Sequence, residues 1–288
     1  KYMILSMTGF GKASLQLSTK KITVEVKSLN SKGLDLNTRM PSVYRENELA
    51  LRNLLAQKLE RGKVDFSLFV EVTGEETSSK INAAIVKAYI AQMKAILPDA
   101  DETELMKMAV RMPDTMKTER EEIDPNEWKQ IQTVIDEAIE NMLSFRTSEG
   151  ASLEKEFTLR IENIRSYMNQ ALALDPERVT AIKERLQTAI DELKVNVDTN
   201  RFEQELIYYL EKLDITEEKV RLTNHLDYFL QTLNGSEANG RKLGFITQEM
   251  GREINTMGSK SNHAEMQKLV VMMKDELEKI KEQVLNVL

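Results

Sequence analysis

The sequence predicts an α+β protein: a small N-terminal α/β sheet domain, then a long-armed, mostly helical remainder that ends in a C-terminal helical bundle. Three patterns predict it. Apolar and polar residues alternate in several stretches of the first ~75 residues, the period of half-buried strands. From Ile81 onward the apolar residues recur at steps of three and four instead, the period of helices. The last helix carries a narrow apolar seam, Met266, Val270, Met273, Leu277, Ile280, Val284 and Val287.

In chain order, residues 3–17, with Met7, Leu15 and Leu17, form a first strand. Ile22, Val24 and Val26 mark a second, and Leu34, Leu36, Thr38 and Met40 a third. Val64, Phe66, Leu68, Val70 and Val72 give the cleanest alternation. A helix over about 43–60 lies between the last two strands, entered through Pro41-Ser42 and closed by Arg61-Gly62. Strand–helix–strand in that order predicts one right-handed crossover. Gly74 to Lys80 reads as a polar turn.

Helices then follow at Ile81–Leu97, stopped by Pro98, and at about 102–111, before Pro113. Asp124-Pro125 opens a long one, with Trp128, Ile131, Ile135, Ala138, Met142 and Phe145 on one face and the pattern running to Leu172. Unbroken, ~48 residues would reach ~70 Å. No compact core is that long, so an arm or a hairpin is expected. Asp175-Pro176 turns it into a return helix with Val179, Ile182, Leu186, Ile190 and Leu193. Residues 200–234 are helical, Gly235 to Gly240 a loop, Arg241 to Met257 a helix, Gly258 to Ser261 a break, and Asn262 to Leu288 the last helix. The expected domains are 1–78, 79–198 and 199–288. The terminal seam needs burial against another helix, of the same chain or of another subunit, and with the long arm it predicts an oligomer.

Composition narrows the chemistry. The 288 residues contain no Cys, which excludes disulfides, thiolate nucleophiles and zinc fingers. Two histidines, His225 and His263, exclude a three-His site in one chain. Aromatics are 6%, which argues against a large base-stacking platform. No apolar run approaches the ~18–20 residues of a membrane span, and no charged-then-apolar leader opens the sequence, so a cytoplasmic protein is expected. The net charge is −7, yet Leu5 to Lys63 holds 11 Lys/Arg against 5 Asp/Glu. On charge alone that local excess reads first as an ordinary solvated surface, and a phosphate-binding groove is the alternative.

Gly9-Phe10-Gly11-Lys12-Ala13-Ser14 has only the flavour of a phosphate loop. Ser6 stands where the first Gly is needed, and Ala13 follows Lys12, so a bulge or a close backbone approach is expected instead. Asp214, Glu218, Arg221 and His225 fall on one face of a helix, where they form either solvated ion pairs or a site for a metal and a phosphate. Glu249 and Glu253 are a like-charge pair one turn apart. Two such carboxylates either stay solvated or chelate Mg²⁺ or Mn²⁺, with His225 adding a nitrogen. A two-histidine acid–base site, His225 with His263, ranks below the metal reading because nothing places the rings together.

Specific strings then point to a family. Ser6-Met7-Thr8-Gly9-Phe10-Gly11 resembles the N-terminal signature of the YicC family of bacterial proteins. Val24-Glu25-Val26-Lys27-Ser28-Leu29-Asn30, Leu34-Asp35-Leu36, Arg39-Met40-Pro41 and Arg61-Gly62-Lys63-Val64 fall where that family has similar strings. Arg146-Thr147-Ser148-Glu149-Gly150 with Leu153 is similar to its mid-chain motif. The fullest likeness runs through Gly240-Arg241-Lys242-Leu243, then Gln248-Glu249-Met250-Gly251-Arg252-Glu253-Ile254-Asn255-Thr256, then Gly258-Ser259-Lys260-Ser261. Gly244, Thr247 and Gly251 depart from it, as does Asn262-His263-Ala264-Glu265.

The resemblance implies an endoribonuclease acting on single-stranded RNA with a divalent cation, Mn²⁺ or Mg²⁺. It also implies a clamshell-like homohexamer and a setting among other RNA-degradation proteins. On that basis Glu249, Glu253 and His225, with Glu218, are expected to hold the metal, and Arg221 to join them in catalysis. Lys12, Lys27, Arg39, Arg241, Lys242 and Arg252 are expected to bind RNA. The alternative is a non-catalytic RNA-binding scaffold that presents RNA to another nuclease. A purely structural oligomer is a third, weaker reading.

Overall fold

The computed structural model describes residues 4–73, 80–117, 125–193, 198–235 and 240–288. The polar turn expected at Gly74–Lys80 and the loop at Gly235–Gly240 fall largely outside these residues, and so does Asp124.

Four strands, β1 (Gly9–Gln16), β2 (Lys20–Leu29), β3 (Leu34–Arg39) and β4 (Gly62–Val72), form one sheet in the order β1-β2-β4-β3. β1 and β4 pair antiparallel with β2, while β3 runs parallel to β4. The parallel pair is joined, as expected, through a helical segment: a 3₁₀ turn (Ser42–Asn47) and α1 (Glu48–Leu59). Strict alternation sends Ile22, Val24, Val26, Val64, Phe66 and Leu68 into a core closed by Leu51, Leu55 and Leu59 of α1.

The long helix, α4 (Pro125–Ala173), is unbroken over 49 residues. It neither folds back nor projects freely. Its first half, Ile131 to Met142, lies on the sheet, and its second half, Leu153 to Ala171, enters a second core with the C-terminal helices. The expected boundary at 198 therefore separates α4 from helices with which it shares that core.

Gly9 and Gly11 make the first contact possible. A methyl on Gly11 would overlap the Ala138 carbonyl oxygen and come 2.6 Å from Met142 N, so β1 and α4 touch backbone to backbone. Gly150 does the same one turn beyond Arg146, where a Cβ would overlap the Ile4 carbonyl oxygen. Arg146 itself is 1% exposed. It donates to Ser28 Oγ at 2.6 Å and to the carbonyls of Arg61 at 3.2 Å, Met7 at 3.3 Å and Leu59 at 3.4 Å. Burial pushes its pKa below the usual guanidinium value, against a small opposing pull from Glu60. The Gly-rich opening and the mid-chain Arg…Gly motif are thus one structural junction. The terminal residues complete it: Met7 N donates to Asn286 O and Leu288 N to Leu5 O.

α2 (Ala83–Ile96) and α3 (Glu102–Ala109) pack chiefly on each other, beside the short pair β5 (Lys80–Ile81) and β6 (Met116–Lys117). α5 (Asp175–Leu193) follows α4 without a long hairpin contact. The stretch expected as one helix over 200–234 is two, α6 (Thr199–Lys212) and α7 (Thr216–Leu233). Asp214 breaks it: its carboxylate accepts from Thr216 N and Oγ1, while Arg178 and Lys260 hold the carbonyls of Leu213 and Asp214.

α8 (Gly240–Lys260) continues through Gly258, and the break falls at 261–263 before α9 (Ala264–Val284). Gly244, Gly251 and Gly258 recur every seven residues and face Val284, Leu277 and Val270 of α9, which recur every seven in the opposite sense. Small residues there draw two antiparallel helices close together. The seam of α9 is buried within this chain against α4 and α8, so no second subunit is needed to cover it. Among the described residues no helix is long and apolar enough to cross a membrane.

Candidate functional site

α7 and α8 run antiparallel, and two contacts fix their alignment. Lys260 Nζ meets Glu218 Oε1 at 2.8 Å at one end, and Lys242 Nζ sits 5.1 Å from the Tyr228 ring centre at the other. Helical periodicity then defines the stripes between these ends. On α7 they carry Glu218, Arg221, His225 and Tyr228; on α8, Lys242, Ile246, Glu249, Glu253 and Lys260. The level of His225 faces the 245–253 stretch of α8.

The groups in this seam are not equivalent. Glu218 is 5% exposed and held by Lys260, though its Oε2 has no hydrogen-bond partner. Arg221 is exposed and paired with Glu217 on its own helix. Glu249 is half-buried and paired with exposed Arg252 at 2.7 Å. Glu253 is 8% exposed and has neither a hydrogen bond nor an ion pair among the described residues. Half-buried His225 likewise lacks one. The Glu253 oxygens are not among the fully buried unpaired atoms of the described residues, so this carboxylate is open to solvent at the seam.

The four-ligand metal shell expected from Glu218, His225, Glu249 and Glu253 is not assembled. Among the described residues no three His, Asp or Glu side chains converge to hold an ion. Lys260 and Arg252 already engage two of the three carboxylates. What remains is an open pair, Glu249 and Glu253, and the exposed Arg252–Glu249 bridge is the weak, exchangeable kind. One or two carboxylates completed by water and substrate phosphate is how Mg²⁺ is commonly held, so the pair fits a cation only in that open form.

The two-histidine alternative does not form. His263 caps α9, its Nδ1 accepting from Met266 N at 3.4 Å. It lies beyond Lys260, at the level where α7 begins, whereas His225 is seven residues, roughly 10 Å, further along α7 than Glu218.

The six cations expected to bind RNA fall into two groups. Arg241, Lys242 and Arg252 stand along α8, with Phe245 61% exposed among them. Lys12, Lys27 and Arg39 lie on the sheet, all pointing away from its core. The spacing of charges led to the cations, but it missed Tyr228 and Phe245. An exposed aromatic and a core aromatic look alike until the helix faces are known.

Comparison with known proteins bears on the same chain. The family described as "Endoribonuclease YicC-like, N-terminal region" matches residues 4–155, and "Endoribonuclease YicC-like, C-terminal" matches residues 171–288. A Clostridioides difficile protein named "Probable endoribonuclease YicC" is 32% identical over 99% of this chain and 100% of its own length. A Haemophilus influenzae protein of the same name is 29% identical over 99% of both. Sheet, junction and α7–α8 seam all lie within the matched regions, and the chain belongs to the YicC-like endoribonuclease family.

Proposed function

We propose that this chain is an endoribonuclease that cuts single-stranded RNA at the seam between α7 and α8. The observation that carries the reading is Glu253, a largely buried residue whose carboxylate makes no hydrogen bond or ion pair among the described residues yet is not sealed from solvent, on the α8 stripe turned towards α7. The names of the two relatives support the reaction class.

The chemistry follows from these groups. A water attacks phosphorus while the Glu253 carboxylate takes its proton. The P–O bond to the leaving ribose oxygen breaks, and His225 supplies a proton to that oxygen. Arg221, Arg241, Lys242 and Arg252 hold the flanking phosphates; the surface ion pairs of Arg221 and Arg252 are worth only about 0.2–1 kcal/mol and yield to a phosphate. Glu249, beside Glu253, would hold Mn²⁺ or Mg²⁺, which would supply neutralising charge next to the phosphate. Cytoplasmic action, assembly as a homohexamer and work beside other RNA-degradation proteins complete the proposal, on the family resemblance.

The test is the Glu249→Gln/Glu253→Gln pair assayed on a labelled single-stranded RNA. Cleavage should fall by at least about 100-fold with the fold and mass unchanged. EDTA should stop the wild-type chain, and Mn²⁺ or Mg²⁺ should restore it. Full cleavage by the double variant would remove the site. A wild-type chain that binds RNA but never cuts it, with or without the ions, is the scaffold instead.

A further inference from the structure

We propose that the outward face of the N-terminal sheet is a second contact surface for single-stranded RNA, on which Phe10 and Phe69 stack bases. It rests on the reading of RNA as the substrate.

The sheet has one closed face and one open face. Inward residues pack under α1 and α4. The alternate residues point the other way, and among the described residues no element lies over them: Phe10 is 42% exposed and Phe69 53%. Strand register arranges them in rows. Phe10 stands beside Lys27, then Asp65 and Asn37. Lys12 stands beside Glu25, then Ser67 and Arg39. Phe69 pairs with Thr23, in the next outward-facing row past Lys12 and two strands across from Phe10's strand. At ~3.4 Å per residue and ~4.8 Å per strand the two rings are rooted ~17 Å apart.

Charge and ring placement select the occupant. Lys12 and Lys27 both bind one carboxylate, Glu25, at 3.0 and 3.2 Å, so the trio keeps a positive balance. Lys27 also sits 5.6 Å from the Phe10 ring centre, a cation beside an open π-face. Arg39 adds a further positive charge at the end of the Lys12 row. The core of a protein interface needs contiguous apolar area. Here polar residues separate the rings, which suits two bases stacked singly while the backbone crosses the lysines.

The experiment measures binding of 5′-labelled oligouridylate and oligoadenylate by the full chain, with cleavage of the same strands followed in parallel. Phe10→Ala and Phe69→Ala should each weaken binding by about tenfold with the salt dependence unchanged. Phe10→Tyr and Phe69→Tyr should restore it. Lys12→Gln with Lys27→Gln should lower the log–log salt slope by about 1.4. Oligonucleotides carrying 5-iodouridine should photocrosslink to Phe10 or Phe69. Wild-type affinity in the double Phe→Ala variant of a chain that still cuts RNA would overturn this surface and leave the proposed reaction standing. So would a change in that variant's oligomeric mass with RNA affinity intact, which assigns the face to a second copy. A wild-type chain that neither binds nor cuts RNA overturns both.

Discussion

Lys260 reaches from the last turn of α8 to Glu218 at the start of α7, 2.8 Å between Nζ and Oε1, and closes the seam that carries the candidate site. Because Glu218 is only 5% exposed, removing the cation strands a buried charge. Lys260→Met should lose about 3–5 kcal/mol in urea unfolding, and Lys260→Met with Glu218→Leu should lose much less. Equal losses in both would show that the pair does not act as a unit.

Glu253 should behave differently. Its carboxylate has no pairing group among the described residues and is not sealed from solvent, so Glu253→Gln should stay within about 0.5 kcal/mol of wild type while RNA cleavage falls. Denaturation and cleavage measured on one preparation check both together.

The first-strand glycines make a sharp pair of predictions. Gly11→Ala drives a methyl into the Ala138 carbonyl and should cost about 3 kcal/mol or more. A methyl on Gly33 would meet nothing within 4 Å, and Gly33→Ala should stay within about 0.5 kcal/mol of wild type. Thermal midpoints of the two variants separate them.

The heptad glycines of α8 should also split in sign. A Cβ at Gly244 would lie 3.7 Å from Val284 Cγ1, an ordinary contact, so Gly244→Ala should gain up to about 1 kcal/mol of helix propensity. At Gly258 the nearest atom, Val270 Cγ1, is 3.0 Å away, and Gly258→Ala should lose about 1 kcal/mol. Urea midpoints that move the same way in both would contradict this packing.

Glu276 makes stability depend on pH. Burial works against its ionised form, but hydrogen bonds from Asn163, Lys279 and Arg160 outweigh that and hold the carboxyl below its usual value of 4.5. The stabilisation is therefore present above about pH 4.5 and disappears as pH falls through the folded-state value. Glu276→Gln should cost about 1–3 kcal/mol at pH 7, and the gap to wild type should narrow on acidification. A gap that stays constant to pH 3 would contradict the assignment.

Much of the fold was legible residue by residue. Ile22-x-Val24-x-Val26 and Val64-x-Phe66-x-Leu68 reveal one buried face because a strand's period is two. The unbroken pattern from Trp128 to Leu172 likewise gave the extent of α4. The break at Asp214 was hidden because the apolar pattern continues across it, and only side chains from Arg178 and Lys260 reveal how it is held. The α9 seam announced that it needed a partner without saying which. In the site, Glu249, Glu253, His225 and Arg221 were legible as helix-spaced charges. Their pairing state was not, because Lys260 and Arg252 choose among carboxylates by position and not by sequence distance.

By itself the sequence determined the α+β order, the extent of most elements, the acid and base groups available and the family resemblance, since periodicity and motifs are local. The tertiary structure decided that α4 joins two cores, that α9 is buried within its own chain, and that Glu253 is left without a partner while Glu218 is not. The reason is common to all three: burial and ion pairing depend on which surfaces meet, and those surfaces come from residues up to more than a hundred positions apart.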